Sequence, residues 1–454
     1  MFNFIFSSYY INVINISLQF IFLYVFTAEY FGQYAYIIAI CELFFLGITF
    51  VSSKGMLYFS RDSEKLDASI YLFIVMSAFV LFLALAIAPF IVSVSFIIYF
   101  LLSIFFKILI NFSSITLSKQ EAVLEYKLIA TYQAISHTLG ALATVIFLIY
   151  SPSLITLFIK EFVVSAFMFC FSLKFARFNF RFQWNSIIEV IKFGTNITLF
   201  RSVNSISVQL PIIFLKAISS NDLVGYYNRT MWLIGMFDRF IGPLVQRIGY
   251  SFYTNKNITK CDLRQVFLSN LSVVWIGGCL LWSFAYTEQI NFVIAQVGLD
   301  HWAPVSDLFK QVAPLCVLTP LFGSIIQQFL IAKNQFARLI LIHSFRLSLL
   351  LIVYYIFVDE SPYLLFNGVI FGFVSLLVLS LSFRDIRKYS ISFLSKRDFF
   401  IGILLAALNV IASRAFGPEL SILVFCGSII FYLIMCRSIV ENLELLKKEI
   451  RNEK

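Results

Sequence analysis

Residues 69–110 read SIYLFIVMSAFVLFLALAIAPFIVSVSFIIYFLLSIFFKILI, and Lys107 is the only charged side chain among them. As one helix this stretch would be about 63 Å long, roughly twice the thickness of the hydrocarbon core of a bilayer. We therefore predict two membrane-spanning helices here, joined by a turn at Ala88-Pro89. This division decides on which side of the membrane every later loop lies.

Apolar runs of this kind fill the whole chain. Of its 454 residues, 60% are hydrophobic and 13% are charged, whereas soluble domains average about 45–50% and about 25%. A spanning helix takes about 20 residues, so these runs leave no room for a sizeable soluble domain. The fourteen predicted spans are 6–26, 34–52, 69–88, 90–110, 128–150, 153–173, 194–216, 223–246, 266–287, 309–331, 339–358, 362–382, 399–415 and 419–436. The predicted fold class is an all-α integral membrane protein.

The basic residues provide an independent test of this topology. With the N-terminus in the cytoplasm, 25 of the 34 Lys and Arg residues fall in cytoplasmic loops and the tail, and three lie near outer ends. The outer loops carry acidic residues instead. This distribution follows the positive-inside rule, and it explains the formal net charge of +10 without a nucleic-acid partner. We predict fourteen spans with both termini cytoplasmic.

Signatures of soluble chemistry are missing from the sequence. The seven cysteines show no CxxC or Cys/His ligand spacing, and most lie inside apolar runs, which favours packing over a metal or disulfide role. No phosphate-binding loop, catalytic triad or nucleic-acid module is recognisable. We therefore expect no enzyme activity, no cofactor and no nucleic-acid partner.

A glycine pattern recurs in the two halves of the chain. Gly55 follows Gly32 by 23 residues, Gly249 follows Gly225 by 24, and aromatic residues flank each glycine. Such recurrence around the second helix of each half indicates two pseudo-symmetric six-helix lobes, with chance similarity among Phe- and Tyr-rich helices as the alternative. The predicted parts are an N-terminal lobe at 1–180, a C-terminal lobe at 181–385, two additional helices at 386–436 and a cytoplasmic tail at 437–454.

Three short segments carry a family resemblance: IKFG at 191–194, GYYNR at 225–229 and Gly242-Pro243. Together with the 6+6+2 helix count, they resemble Wzx-type O-antigen flippases of the multidrug/oligosaccharidyl-lipid/polysaccharide (MOP) exporter superfamily. One departure is that the family usually has a proline near the middle of span eight, where this chain has Asp238-Arg239.

The resemblance implies a V-shaped pair of helical bundles in the bacterial inner membrane. It implies a flippase that moves undecaprenyl-pyrophosphate-linked O-antigen or capsule repeat units by alternating access, in lipopolysaccharide or capsule polysaccharide biosynthesis. The implied partners are the polyprenyl-pyrophosphate-linked glycan, membrane lipids, and a polysaccharide polymerase with its chain-length regulator.

Charged residues inside the spans indicate where a ligand would bind. Six basic residues but only three acids fall within spans. Each cation at a helix centre costs about 2.5–3.5 kcal/mol, so it must face water, pair with an acid or reach the interface. The excess of cations predicts an anionic ligand, held by forked Arg contacts and by Lys point charges. The predicted substrate-binding residues are Lys107, Arg201, Arg229, Arg239 and Arg346, whereas Lys160 beside Glu161 is interpreted as a local or interfacial pair.

Candidates for proton or sodium coupling are Glu42, Asp238 and His343. For Glu42, a salt bridge to a basic residue is an equally weighted alternative. Coupling is left open, because the membrane potential alone would favour outward movement of an anionic headgroup.

Two rival functions remain for a chain of this kind. A multidrug or metabolite cation antiporter of the same superfamily should have an acidic chamber and twelve helices, whereas this chain has basic spans and fourteen predicted helices. An O-antigen polymerase or ligase should carry a large outer loop with catalytic Arg and His. The longest predicted outer segment, 288–308, contains one histidine, His301, and no arginine.

Overall fold

The computed structural model describes residues 2–46, 63–122, 126–175, 184–253, 260–287, 289–296, 299–357 and 364–452. Every regular element within these ranges is helical. This confirms the predicted all-α fold. Helices suit a bilayer because all their backbone hydrogen bonds are satisfied internally.

Two compact units divide the chain, Met1–Gly225 and Tyr226–Lys454. The helices that begin in the first unit are α1 (Phe2–Val25), α2 (Ala28–Phe44), α3 (Ser63–Ile91), α4 (Ile97–Ala122), α5 (Tyr126–Tyr150), α6 (Thr156–Ser172), α7 (Trp184–Ile218) and α8 (Asn221–Tyr253). The unit boundary falls inside α8. The lobe boundaries predicted at 180 and 385 were based on a repeated sequence pattern, whereas the two units are defined by compactness. These lobe boundaries therefore stay predictions.

The second unit contains the remaining helices. They are α9 (Lys260–Ala285), α10 (Gln289–Gln296), α11 (Ala303–Val312), α12 (Leu315–Pro320), α13 (Gln327–Ala332), α14 (Phe336–Phe357), α15 (Leu364–Leu381), α16 (Arg384–Leu394) and α17 (Arg397–Asn452). A π-helical segment, Leu321–Ile326, joins α12 to α13.

Eight helices among the described residues are long and apolar enough to cross a membrane, or nine if the bent pair α15–α16 counts as one span. The protein is thus a multi-pass membrane protein. Helix α8 is not among the eight, although it has 33 residues. It carries charged side chains along its length, and these lower its hydropathy. The count of fourteen spans stays a prediction.

The break that we placed at Ala88-Pro89 is real but lies further along the chain. Helix α3 continues to Ile91, and α4 begins at Ile97 after a short 3₁₀ turn. The prediction of two helices is correct, and the predicted position of the turn is wrong. Proline removes only one backbone donor near a helix end. The Val92 N–H still donates to the Ala88 carbonyl at 3.0 Å, so the last turn survives.

The long helix α17 contacts α9 twice, in opposite directions. The contacts join Phe399 to Trp275, Asn409 to Ser283, Phe425 to Phe284 and Tyr432 to Val273. The α9 partner rises in number along the first two contacts and falls along the last two. Residues 397–452 therefore form two antiparallel legs, in agreement with the separate spans predicted at 399–415 and 419–436.

Two of the recurring glycines, Gly32 and Gly225, lie where two helix ends meet, whereas Gly55 lies outside the described residues. Gly32 is the fifth residue of α2 and Gly225 the fifth of α8. A Cβ atom on Gly32 would overlap the carbonyl of Asn221, the first residue of α8, and one on Gly225 would overlap the carbonyl of Ala28, the first residue of α2. All four residues belong to the first unit. The contact is reciprocal, and only a residue without a side chain fits at either position.

Candidate functional site

In the first unit, one cation inside a spanning helix is paired with an acid of the same unit. Lys107 on α4 forms an ion pair with Glu42 on α2, and their side chains are 17% and 40% exposed. The Lys107 ammonium also lies 5.7 Å from the ring centre of Phe45. The salt-bridge alternative for Glu42 is therefore observed. The positive charge of Lys107 is compensated by this carboxylate within the first unit.

Lys160 and Glu161, adjacent on α6, both have partners on other helices. The Lys160 ammonium donates to the Asn15 side-chain oxygen on α1. The Tyr34 hydroxyl on α2 donates to a Glu161 carboxylate oxygen at 2.7 Å. These bonds tie α6 to α1 and α2, which is a structural role for both residues.

Arg201 lies at the middle of α7 and is half-buried. Within the described ranges, no carboxylate lies within ion-pair distance of its guanidinium group. Partial exposure lets such a side chain keep some of its hydration, so its desolvation is milder than that of a fully buried arginine.

Among the described residues, the most deeply buried cation lies in the second unit. Arg346, at the middle of α14, is only 3% exposed. Among the residues that the structure describes, no Asp or Glu forms an ion pair with it, and its Nε atom has no hydrogen-bond partner. Its guanidinium carbon lies 4.1 Å from the ring centre of Phe373 on α15. A Cβ atom on the neighbouring Gly372 would lie 3.2 Å from the Arg346 Cγ, so the glycine leaves room for this side chain.

Aromatic side chains frame Arg346. Tyr227 on α8 is 3% exposed, and its ring stacks on Phe366 at 5.3 Å and 6°. Arg346 acts electrostatically on the Tyr227 hydroxyl. His343, one turn before Arg346, is 1% exposed and meets the Phe322 ring edge-on at 5.3 Å. The cluster thus combines a strong cation with one hydroxyl and several ring faces.

Two further arginines lie along α8. Arg229 is 6% exposed, and it donates to the Asn228 side-chain oxygen at 2.6 Å. The guanidinium groups of Arg229 and exposed Arg239 lie 5.9 and 5.8 Å from the Trp232 ring centre. An α-helix turns about 100° per residue, so Arg229 points away from the face that carries Tyr227. The structure therefore places Arg229 with Arg239, and Arg346 with Tyr227.

Asp238 contacts the π-helical segment. The hydroxyl of Ser324, which is 1% exposed, donates to an Asp238 carboxylate oxygen. Isolated π turns widen a helix and are frequent at functional sites. Asp238 was predicted for ion coupling, and its carboxylate lies against such a turn. No group of three or more His, Cys, Asp or Glu side chains suited to a metal ion occurs among the described residues.

Sequence reasoning missed the aromatic frame of Arg346. The chain has 55 Phe, 22 Tyr and 5 Trp residues, so no single ring stands out. Gly372 next to Phe373 was the available signal, because a glycine inside a spanning helix often marks a close approach.

Two solved membrane transporters share the fold of this chain. A lipid II flippase, MurJ, in an inward closed conformation matches with a TM-score of 0.65 and 15% identity, over 98% of this chain and 100% of that chain. An inward-facing multidrug resistance transporter of the MATE family matches with a TM-score of 0.58 and 12% identity, over 85% of this chain and 94% of the other.

The chain belongs to the polysaccharide biosynthesis protein family, whose model matches residues 25–276. No curated protein matches it in sequence. The family and the shared fold agree with the resemblance to polysaccharide exporters that was drawn from the three short segments.

Proposed function

We propose that the protein is a flippase for a lipid-linked oligosaccharide, an undecaprenyl-pyrophosphate-linked O-antigen or capsule repeat unit. It acts in the bacterial inner membrane with both termini cytoplasmic, and it is not an enzyme. The observation that carries this proposal is Arg346, a buried cation at the centre of a spanning helix with no acidic partner among the described residues.

The chemistry of the Arg346 cluster suits a diphosphate. A guanidinium group presents a planar fork of donors that matches phosphate oxygens, and a buried charge is tolerable when an opposite charge can reach it. Tyr227, whose hydroxyl interacts electrostatically with Arg346, adds a hydrogen-bond donor. Arg229, Arg239, Arg201 and Lys107 remain further candidates for headgroup contacts.

Alternating access supplies the mechanism. The site is exposed to one side of the membrane and then to the other, while the polyprenyl tail stays in the bilayer. A headgroup of charge about −2 gains about 2.3 kcal/mol per charge per 100 mV on leaving a negative-inside cell, or about 4–5 kcal/mol in total. A proton or sodium gradient can add to this through Asp238, His343 or Glu42, but the energetics do not require it.

The family description and the fold both support this proposal, since the matched family is named for polysaccharide biosynthesis and one matched structure is a lipid II flippase. A polysaccharide polymerase and its chain-length regulator would then act on the exported unit. The second matched structure, a multidrug resistance transporter, keeps a cation antiporter as the alternative. Arg346, which has no acidic partner among the described residues, disfavours the antiporter, because a buried cation repels cationic drugs.

Reconstitution of the whole protein into proteoliposomes at a clamped membrane potential tests the function. The substrates are a fluorescent undecaprenyl-pyrophosphate oligosaccharide and, in parallel, a lipophilic dicationic dye. We expect the oligosaccharide lipid to become accessible to a membrane-impermeant quencher faster than in empty liposomes, with a rate that rises with the potential. Transport of the dye alone would replace the flippase by the antiporter.

A further inference from the structure

Helix α16 is sharply bent relative to α15, the apolar helix that precedes it. The axis of α16 is bent by 106° from that of α15. Spanning helices tilt by about 20° on average, so this bend brings α16 close to the plane of the membrane. Its 11 residues cover about 16 Å, too little to cross the hydrocarbon core. Helix α16 is therefore a surface helix between two membrane-embedded elements.

One face of α16 is fixed to the protein. Ile386, Tyr389 and Phe393 are buried at helical spacing. The Tyr389 ring lies 5.4 Å from Phe267 on α9, and the Phe393 ring lies 6.3 Å from Trp275. These contacts determine which side of α16 is turned outward.

The outward face of α16 combines cations with apolar side chains. Arg384, Arg387 and Lys388 are exposed, and none forms an ion pair with a carboxylate among the residues that the structure describes. Ile391 and Leu394 continue this face and are 59% and 52% exposed. A helix with this pattern lies at the boundary between lipid headgroups and acyl chains.

More positive charge is concentrated around α16. Exposed Arg338, at the start of α14, has its guanidinium carbon 4.5 Å from the ring centre of Phe383, the residue just before α16. The Tyr389 hydroxyl interacts electrostatically with Asp385 of α16 and with exposed Arg264, near the start of α9. The α16 surface, defined as Arg384, Arg387, Lys388, Ile391 and Leu394, is thus part of a larger basic region.

We propose that the α16 surface binds acidic phospholipid headgroups of the membrane leaflet in which it lies. The cations supply the complementary charge, and the exposed Ile391 and Leu394 place them at headgroup depth. A soluble polyanion would satisfy the arginines but would leave these two apolar side chains in water. The inference is independent of what the protein transports.

The test measures lipid selectivity of the full chain in proteoliposomes by electron spin resonance. The probes are spin-labelled phosphatidylglycerol and phosphatidylcholine in a phosphatidylcholine host. We expect the wild type to associate preferentially with phosphatidylglycerol, and we expect high salt to weaken this preference. Replacing Arg384, Arg387 and Lys388 together by Gln should lower the relative association constant by about fivefold for each cation in contact with lipid.

A matched variant controls for total charge. Lys127, Lys174 and Lys192 are exposed basic residues of the first unit, and replacing all three by Gln removes the same charge elsewhere. The proposal fails if this control loses as much selectivity as the α16 variant, or if the α16 variant keeps it. Displacement of phosphatidylglycerol by inorganic pyrophosphate, at constant ionic strength, would assign the surface to a soluble diphosphate instead. An Arg387→Lys variant, which keeps the charge, should retain the preference even if the triple variant folds poorly.

Discussion

Lys107 and Arg346 are both cations inside spanning helices, but the two units treat them differently. Lys107 of the first unit has a carboxylate partner, Glu42. Arg346 of the second unit has the face of Phe373 and no acid among the described residues. An ion pair cancels the charge that it contains, whereas a ring face attracts a cation without neutralising it. The net charge available to an anionic ligand is therefore larger around Arg346.

The largest expected effect on flipping comes from removing the charge of Arg346. Arg346→Met keeps the length and apolar stem of the side chain but removes a forked donor whose charge-assisted bonds contribute about 1.5–3 kcal/mol each. We expect about a hundredfold slower flipping of the pyrophosphate-linked substrate in proteoliposomes. Thermal stability should stay equal or rise, because an uncompensated buried charge is lost.

Arg414→Met is the matched control, because Arg414 is exposed. Arg346→Lys keeps the charge without the fork and should fall between the wild type and Arg346→Met. Equal flipping rates for Arg346→Met and Arg414→Met would remove the contrast between the two units.

Alanine variants at Gly32 and Gly225 test the close backbone contact between α2 and α8. Gly32→Ala and Gly225→Ala each place a methyl group against a backbone carbonyl, which cannot move aside as a side chain can. We expect each to lower the free energy of unfolding by about 2 kcal/mol, within the range known for overpacked sites. Denaturant titration in detergent measures this.

Gly427→Ala serves as the control, since nothing lies within 4 Å of a Cβ atom at that position. It should be neutral or slightly stabilising, because alanine favours helix over glycine. A large loss in only one of the two contact variants would show that the contact is not reciprocal in its energetics.

A smaller effect, on stability, is expected from breaking the ion pair between Glu42 and Lys107. Glu42→Gln leaves Lys107 without its carboxylate and should destabilise the protein by about 1 kcal/mol, since Glu42 is partly exposed and solvent screens the charge. The double variant Glu42→Gln/Lys107→Met should recover most of that loss in a double-mutant cycle. Additive losses would mean that the two residues stabilise the protein separately.

The smallest effect is expected at the ring that faces Arg346. Phe373→Leu keeps an apolar side chain but removes the π face, which contributes about 2 kcal/mol to a desolvated cation such as Arg346. The ring attracts the guanidinium group with or without a bound substrate, so little of this contribution enters the flipping rate. We expect flipping to change by no more than about threefold. An effect as large as that of Arg346→Met would make the ring, rather than the charge, the main binding element.

The sequence predicts the helices well because hydrocarbon thickness imposes their length. Helices α5, α6, α14 and α15 coincide with predicted apolar runs to within about three residues at each end. The ends of α4 and α7 differ by more, and α10 lies in a segment where no span was predicted. The bend before α16 was missed, since a short polar linker and a surface helix look alike in composition. The turn near Pro89 was misplaced because α3 continues past the proline to Ile91: Pro89 lacks a backbone donor, but the Val92 N–H still bonds to the Ala88 carbonyl.

The cations of the site were predictable and their environments were not. Arg346 stands out at the centre of an apolar run, where a charge is costly enough to need a reason. Its neighbours Tyr227 and Phe373 are far from it in sequence, and the same is true of Glu42 and Lys107. Which cation is compensated depends on tertiary packing, which no local pattern records.

The meeting of two backbones at Gly32 and Gly225 has a mechanical consequence. A Cβ atom at either glycine would overlap a backbone carbonyl of the other helix, so no side chain separates the first turns of α2 and α8. A displacement of one of these turns is therefore transmitted to the other by backbone contact, without a side chain that could change rotamer to absorb it.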